Sequence, residues 1–586
     1  MPAVRKRWTL TPQDTQAANY LASQLRLSPV VAQLLVNRQV TTVAAATQFL
    51  ACPMGGLLPP QLLPGVTGAA EAIVAAVQAG RRICVYGDYD VDGTTGTAVL
   101  MRLFAILKAK AEFYVPNRVE EGYGVNLAAV RHLAASGVEV LITVDCGITA
   151  LDEVAEAKRL GLAVIVTDHH EMKPTLPAAD HVVHPGLPGS AYPPNRLSGA
   201  GVAFKLAWAV AQQASGNEKV AAPFREFLLD SLALAALGLV ADVMPLREEN
   251  RVFVKHGLAR MTAKPTVGVK ALVAECGVNE GAALKAEDIA FKLGPRLNAA
   301  GRLECARLVV DLLTTANPVH ARTTAEYLEK LNKDRQSRER KITQQAKGMV
   351  EDLGYAGDPG LVVASGDWHP GVIGIVASRL VDHFGKPALV IATDDATGVG
   401  SGSGRSVGGL PLHLALESCG DCLLSHGGHA AAAGFKVLTP DIDALRRKFN
   451  DYVRANFAGQ PPVPRLELEV EVPLSALTFG LLDDLDKLEP YGMGNPRPKF
   501  LASGLTVEGT PRKMGIEERH LSFRVRQGST LMRAVAFGMG DRFDELVSAG
   551  GDCAVAFTPK INEFNGQRTI ELDVIDFRAG ADADLS

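Results

Sequence analysis

The sequence predicts an α/β protein: a parallel-sheet domain and a smaller α/β domain joined by a long helix, ending in a small β-barrel. Three observations predict it. Between residues 82 and 166, short apolar runs alternate with stretches of helical spacing, the signature of a parallel sheet covered by helices on both faces. From residue 318 to 353 the chain is charged and free of internal proline, which suits a solvated helix spaced between two globular parts. Beyond residue 464 the pattern becomes short alternating strands at the spacing of a barrel. At 586 residues the chain is too long for one core. The divisions fall at 1–66, a helical lead-in; 67–317, the parallel-sheet domain; 318–354, the connecting helix; 355–458, the second α/β domain; and 459–586, the barrel.

In order along the chain, apolar residues at helical spacing (Leu21, Leu25, Val31, Leu34, Leu35) predict helices between residues 12 and 55, with a Gly/Pro/Leu-rich connector to 66. A helix over 69–78 leads into the first strand, 82–86. Then follow a helix at 96–108, a strand at 111–115, a helix at 126–135, a strand at 138–144, a helix at 150–160 and a strand at 163–166. In such sheets ligands bind beyond the carboxyl ends of the strands. Asp88, Asp90 and Asp92 follow the first strand, Asp145 the third, and Asp168-His169-His170 the fourth, while Asp242 closes a further apolar run at 235–241.

Asp88, Asp90 and Asp92 are spaced two apart, so an extended strand through them would project three carboxylates to one side. Like charges that close are costly unless a cation sits among them or some take protons. The Asp-x-Asp-x-Asp-Gly order also opens a calcium-binding EF-hand. That loop needs glutamate at its twelfth position, where this chain has Val99, and a helix before it, where this chain has a strand. An acidic turn without metal, a helix cap at Asp145 or Asp242, and a polar turn at His169 and His170 each explain one site, but not all four together. Hard oxygen donors mixed with imidazole favour manganese or magnesium over a thiolate zinc site, and shared aspartates suggest two ions.

The later half offers arginine and glycine. Arg296 and Arg302 flank a glycine-containing turn, where a surface salt bridge is the alternative to phosphate recognition by the guanidinium fork. The second α/β domain begins with a strand at 361–365 and carries Ser378-Arg379, the stretch 400–406 (Gly-Ser-Gly-Ser-Gly-Arg-Ser) and the stretch 426–434 (His-Gly-Gly-His-Ala-Ala-Ala-Ala-Gly). Small residues at that density let backbone amides approach phosphate, or pack tightly. After a Pro-rich linker at 459–464, strands at 466–472, 505–509, 521–526, 531–537, 553–559 and 569–577 predict an oligonucleotide-binding (OB) fold. Basic and aromatic residues interleave there (Arg512, Lys513, Arg519, His520, Phe523, Arg533, Phe537, Lys560, Phe564), some as a stacking surface and others as core.

Composition excludes rather than assigns. With 47% hydrophobic and 21% charged residues and a net charge of −4, the chain has no global basic footprint, so any nucleic-acid surface is a local patch. Eight cysteines without matched spacings describe no disulfide framework, and the lone Cys419-x-x-Cys422 reads as reduced thiols rather than a zinc site. The N-terminus has charge but no apolar signal core, and no uncharged run reaches the roughly 18 residues of a membrane span. A cytoplasmic setting away from membranes is expected.

Taken together, Gly87-Asp88-Tyr89-Asp90-Val91-Asp92-Gly93, Val144-Asp145-Cys146-Gly147, Asp168-His169-His170 and Ala241-Asp242-Val243 resemble the DHH phosphoesterase superfamily. Stretches 197–205, 294–302 and 368–374 extend the likeness over nearly the whole chain, to the superfamily's bacterial single-strand-specific 5′→3′ exonucleases. The resemblance implies a DHH domain, a DHH-associated domain and a two-metal hydrolysis of single-stranded DNA to 5′-mononucleotides in recombination and repair, with Mn²⁺ or Mg²⁺ as cofactor. It implies that Asp90 and Asp92 serve opposite ions, that Asp145 bridges both, that His169 and Asp242 hold the second, that Asp88 completes the first, and that His170 touches the scissile phosphate. Arg296, Asn298 and Arg302 would lie near the 5′ end, and Arg379, Arg405 and His429 would line the strand's path. A monomer meeting a single-strand-binding protein and a helicase is the implied setting. Two positions depart from the pattern: Tyr86 stands where some superfamily members have histidine, and His184, read as a polar turn residue, stands where relatives often have asparagine. Two other readings share the superfamily. A phosphodiesterase for cyclic dinucleotides or short RNA does not usually carry the C-terminal barrel, and an inactive single-strand-binding replication factor loses metal ligands that this chain retains.

Overall fold

The computed structural model describes residues 6–118, 121–122, 124–190, 192–193, 197–279, 281–303, 305–456, 465–548, 552–564 and 566–579. They form two compact units. One comprises Leu58–Met244 with His256–Pro462; the other comprises Met1–Leu57, Pro245–Lys255 and Val463–Ser586.

The larger unit holds two sheets. The first is wholly parallel, in the order Ala111–Tyr114, Ile83–Gly87, Val140–Val144, Ala163–Thr167, His181–Val183. Its central strands are buried along their whole length, as the unbroken apolar runs require of a sheet covered on both faces. The register aligns Gly87 with Val144, Val144 with Thr167 and Thr167 with Val183. The next residue of each strand therefore falls in one row, Asp88, Asp145, Asp168 and His184, tied by N–H donation from each aspartate to the neighbouring strand.

Helices Val91–Leu107, Gly199–Ser215 and Ala222–Ala241 pack together over the sheet, and they touch at glycine. A Cβ on Gly96 would come within 2.7 Å of Val144, and one on Gly199 within 2.5 Å of the Asp145 carboxylate. The first of these helices begins five residues earlier than its periodicity predicts, because Asp90 caps it: Asp90 Oδ1 accepts the Gly93 N–H at 2.9 Å. The strand thus ends at Gly87. Asp88, Asp90 and Asp92 are not neighbours along an extended strand; they converge through a strand end, a cap and a first helical turn.

The second sheet runs Ser425–Gly428, Ala432–Leu438, Val399–Arg405, Ala388–Asp394, Leu361–Ser365, with only the last pair parallel. Helix Pro318–Asp352, 35 residues long, spans about 50 Å at ~1.5 Å per residue. It is not solvated all round: Ala321, Ala325, Leu328, Ile342, Ala346 and Val350 are buried along it.

In the smaller unit, Phe500–Met514, His520–Gln527, Thr530–Ala536, Gln567–Ala579 and Asp552–Phe564 pair in sequence, and the last pairs back onto the first, closing a barrel. The predicted α/β class and OB barrel are thus both present. Phe500, Phe523, Phe557 and Phe577 fill the barrel, so Phe523 is core, whereas Phe537 is half exposed. Helices Thr15–Leu25, Pro29–Asn37 and Val43–Ala51 share that core through Leu21, Leu34, Leu35 and Ala46, and strand Arg7–Leu10 pairs with Arg465–Leu468. The helices expected to lead into the catalytic sheet therefore stand with the barrel. The Pro-rich linker at 459–464 and the side chain of Phe564 lie outside the described residues. All eight cysteines are free thiols, Cys419 and Cys422 included. Among the described residues no single helix is long and apolar enough to cross a membrane.

Candidate metal centre and phosphate cradle

Main-chain donors hold Asp90 and Asp92. Asp92, buried on the first turn of its helix, accepts from the Gly199 N–H at 2.5 Å and the Ala200 N–H at 3.0 Å. Asp145, also buried, takes a left-handed backbone (φ 64°), which turns its carboxylate from the strand end towards the helices. Asp242 is not at a strand end; it caps the C-terminus of Ala222–Ala241. The ligand atoms of Asp88, Asp90 and Asp145 lie within 4.8 Å of one another, as do those of Asp92, His169 and Asp242. His169 Nε2 is 3.0 Å from Asp145 Oδ1, 3.6 Å from Asp242 Oδ2 and 3.7 Å from Asp92 Oδ2. Asp145 thereby faces both groups.

The electrostatics fit cations. Burial and then Asp90 push Asp92 up to about 7, and burial, Asp92 and Asp90 push Asp242 up to about 8. Asp88 and Asp145 rise well above the carboxylate range for the same reasons, burial first. Burial holds His169 down to about 4, so its imidazole is neutral. That ring also bonds the Leu197 main chain, while the buried Nε2, with no hydrogen-bond partner among the described residues, faces three carboxylates. Asp88 Oδ1 is likewise buried with no hydrogen-bond partner among the described residues. Oxygen donors plus one neutral imidazole, too crowded to ionise together, are what two hard divalent ions would satisfy.

Asp168 and His184 do a different job. Asp168 Oδ1 accepts the N–H groups of His169 (2.7 Å) and His170 (3.1 Å) and contacts His170 Nδ1 at 2.7 Å, while Oδ2 accepts the Ile148 N–H at 3.0 Å. Burial opposes a charge on His170, but the Asp168 carboxylate outweighs it and lifts the imidazole to about 9. His184 stands at a turn, as read, and is buried there: its Nδ1 accepts the Gly186 N–H, so its Nε2 donates to the His170 carbonyl at 2.8 Å. Tyr86 points away from the carboxylates, donating to the Gly124 carbonyl at 3.0 Å.

A group of arginines adjoins this centre. Arg302 is pushed down to about 10 by burial and then by Arg118, Arg335 and Arg405, and Arg405 is lowered by burial and Arg118. No described carboxylate pairs with Arg302 or Arg405; Arg302 donates instead to the Gly371 carbonyl at 3.0 Å, and Arg405 to that of Gly404 at 2.8 Å. Arg118 lies over the Tyr89 ring, 5.0 Å from its centre. Guanidiniums gathered in this way, two of them without a carboxylate partner among the described residues, suit an anion cradle. Arg296 is not in it, being paired with Glu329 at 2.7 Å, and Asn298 is half-buried on the same helix, Gly294–Arg302. Arg379 pairs with Glu339 at 3.1 Å, and exposed His429 approaches Glu171 at 3.9 Å. Sequence reasoning misses Arg118, although it follows strand Ala111–Tyr114 at the same sheet edge, and the orienting roles of Asp168 and His184.

Comparison with known proteins agrees with this architecture. Residues 82–236 match the model of the DHH family N-terminal domain, residues 357–455 the DHHA1 domain and residues 468–576 the RecJ OB domain. The single-stranded-DNA-specific exonuclease RecJ of Bacillus subtilis is 37% identical over 98% of this chain and 71% of its own length. The crystal structure of RecJ from Thermus thermophilus with Mn²⁺ superposes with a TM-score of 0.82 at 33% identity, over 98% of this chain and 80% of that one. Its Mg²⁺ complex gives 0.77 at 31% identity, over 98% and 78%.

Proposed function

Because the chain belongs to the RecJ family of DHH phosphoesterases, we propose that it is a metal-dependent exonuclease that removes 5′-mononucleotides from the 5′ end of single-stranded DNA. The observation that carries the reading is Asp145 facing both ligand groups, the arrangement of a shared ligand. Asp88, Asp90 and Asp145 would hold one Mn²⁺ or Mg²⁺, and Asp92, His169, Asp242 and Asp145 the other. Bound there, the ions supply Lewis acidity to the phosphate and to the attacking water.

The chain's own groups do the rest. Asp168 keeps His170 protonated and aimed from the sheet edge, so the imidazolium donates a hydrogen bond to the scissile phosphate where negative charge develops. Arg118, Arg302 and Arg405 hold the terminal phosphate. Main-chain hydrogen bonds orient Arg302 and Arg405 in advance, which lowers the barrier that orientation otherwise imposes. The barrel adds single-strand affinity through Phe537 and the basic residues around it. The polarity, a monomeric state, a cytoplasmic setting and supply of the strand by a helicase and a single-strand-binding protein are parts of the proposal that rest on family membership. The test uses 5′-labelled single-stranded DNA, double-stranded DNA and a cyclic dinucleotide with Mn²⁺, Mg²⁺ or EDTA. Metal-dependent release of mononucleotides from the single strand is expected; binding without hydrolysis in every metal would refute the enzyme, and cleavage of the dinucleotide alone would refute the substrate.

A further inference from the structure

Of the three guanidiniums assigned to the terminal phosphate, Arg118 is held differently. Arg302 and Arg405 are tied to main-chain carbonyls, whereas Arg118 lies over the Tyr89 ring and repels both of the others. That repulsion pushes it out of the group, so its place has to be set by the backbone that carries it. One carboxylate fastens that backbone. Half-buried Glu121 accepts the Asn117 N–H on Oε1 at 2.7 Å, and on Oε2 the Tyr114 hydroxyl at 2.6 Å and Asn126 Nδ2 at 2.8 Å. In return its own N–H donates to the Asn117 carbonyl at 2.8 Å. Burial opposes its charge, but the Asn117, Tyr114 and Asn126 donors outweigh it and hold the carboxyl below the usual carboxylate range. Those donors come from the end of strand Ala111–Tyr114, from the residue just before Arg118, and from Asn126, which caps helix Leu127–Ala135. Tyr86 extends the network: its hydroxyl accepts from Asn126 Nδ2 at 3.2 Å while donating to the Gly124 carbonyl. The position where some superfamily members have histidine thus serves this loop and not the metal centre.

We propose that Glu121 is a positioning residue for 5′-phosphate recognition: it fixes the main chain around Arg118, so that this guanidinium stays in the cradle against the repulsion of Arg302 and Arg405. The inference rests on the single-stranded-DNA reading above, with the terminal phosphate in that cradle. Glu121 itself touches no substrate. The sign and the selectivity of its effect are diagnostic. A carboxylate that merely stood near a polyanion would weaken binding of every strand, so its removal would strengthen binding. A positioning carboxylate gives the reverse, and only where the strand carries a 5′-phosphate. Glutamine matches the shape of Glu121 but has one acceptor oxygen where the site presents donors to two. One N–H is therefore set against another in either orientation of the amide.

The experiment measures affinity of the full chain for 5′-phosphorylated and 5′-hydroxyl oligothymidylate by fluorescence anisotropy in EDTA, with KM and kcat for the phosphorylated strand in Mn²⁺. Glu121→Gln should weaken binding of the phosphorylated strand about three- to tenfold, change that of the hydroxyl strand by less than about twofold, and act on KM more than on kcat. Tyr114→Phe keeps the ring that stacks on Tyr86 at 5.1 Å and removes one donor. It should lose affinity for the same strand, and it decides the matter if Glu121→Gln does not fold. Added to Arg118→Ala, Glu121→Gln should cost nothing further, since both changes remove one contact. Unchanged affinity for the phosphorylated strand, equal losses on both strands, tighter binding of either, or a full additional loss in the Arg118→Ala background overturns the positioning role. If Arg118→Ala keeps the preference for the 5′-phosphate, the cradle reading fails. If the wild-type chain neither binds nor cleaves the strand, the functional reading fails. Each of these two results takes the inference with it.

Discussion

Gly238 offers a steric route into the metal centre that changes no ligand. It lies on Ala222–Ala241 facing Asp92, and a Cβ there would stand 2.3 Å from Asp92 Oδ1, 2.7 Å from the Ala200 Cβ and 2.8 Å from Thr95 Oγ1. Ordinary contact needs about 3.5 Å, so in Gly238→Ala the carboxylate must retreat by roughly 1 Å. Retreat pulls Asp92 off the Gly199 and Ala200 N–H groups that hold it. Misplacement of that size costs on the order of 100-fold in turnover, and the overpacking costs about 1–3 kcal/mol of stability. Gly257→Ala is the matched control. Its Cβ would meet the Leu232 carbonyl at 2.5 Å and Ala236 at 2.6 Å, a comparable clash against the same helix with no carboxylate among the nearest atoms. Single-turnover hydrolysis of 5′-labelled single-stranded DNA in Mn²⁺ and urea midpoints should therefore separate the pair: both lose stability, and only Gly238→Ala loses turnover. Near wild-type turnover in Gly238→Ala would refute the claim that Asp92 is a ligand held in place by this packing.

Asp145→Ala should abolish hydrolysis while single-strand affinity in EDTA stays near wild type, checked by gel assay and anisotropy on one preparation. Asp168→Asn removes the carboxylate that lifts His170 to about 9. Because the charged imidazole is the competent form, activity should fall as pH rises through about 9 in the wild type. In the variant that limb should move down towards the ordinary histidine value of about 6.5, as a pH–rate profile would reveal. Mn²⁺ affinity, read by calorimetry, should weaken as pH falls from 8 to 6, with protons released on binding, because Asp92 and Asp242 hold protons up to about 7 and about 8 without the ion. Arg302→Ala should raise KM for 5′-phosphorylated DNA at least tenfold, whereas Arg296→Ala should change it little, since Arg296 answers to Glu329.

Much of the candidate site was legible because a parallel sheet exposes its strand ends, and apolar runs ending in Asp88, Asp145 and Asp168 mark those ends without any three-dimensional information. Asp242 was found for a looser reason: its apolar run proved to be a helix, and the acid its cap. What the periodicity misread was local. Asp90 as an N-cap shortens the strand and lengthens the helix, a choice made by one side-chain hydrogen bond that hydrophobic spacing does not register. The roles of Asp168 and His184 depend on cross-strand register, and the different fates of Arg296 and Arg302 depend on which tertiary partner reaches each guanidinium first. Arg118 was legible in principle, at the end of a strand already identified, but it bears no motif.

The smaller unit is assembled from both ends of the chain. Strand Arg7–Leu10 has its partner in Arg465–Leu468, and Leu21, Leu34 and Leu35 find their core among residues beyond 470. At a synthesis rate of about 5–20 residues per second, the first segment emerges roughly 20–90 seconds before its partners do. During that interval its apolar faces have nothing to cover them, while the contiguous stretch that builds the metal centre can already close. The order of birth is thus catalytic core first and barrel last, and a nascent chain stalled before residue 465 would present an assembled ligand set beside an N-terminal segment still waiting for its other half.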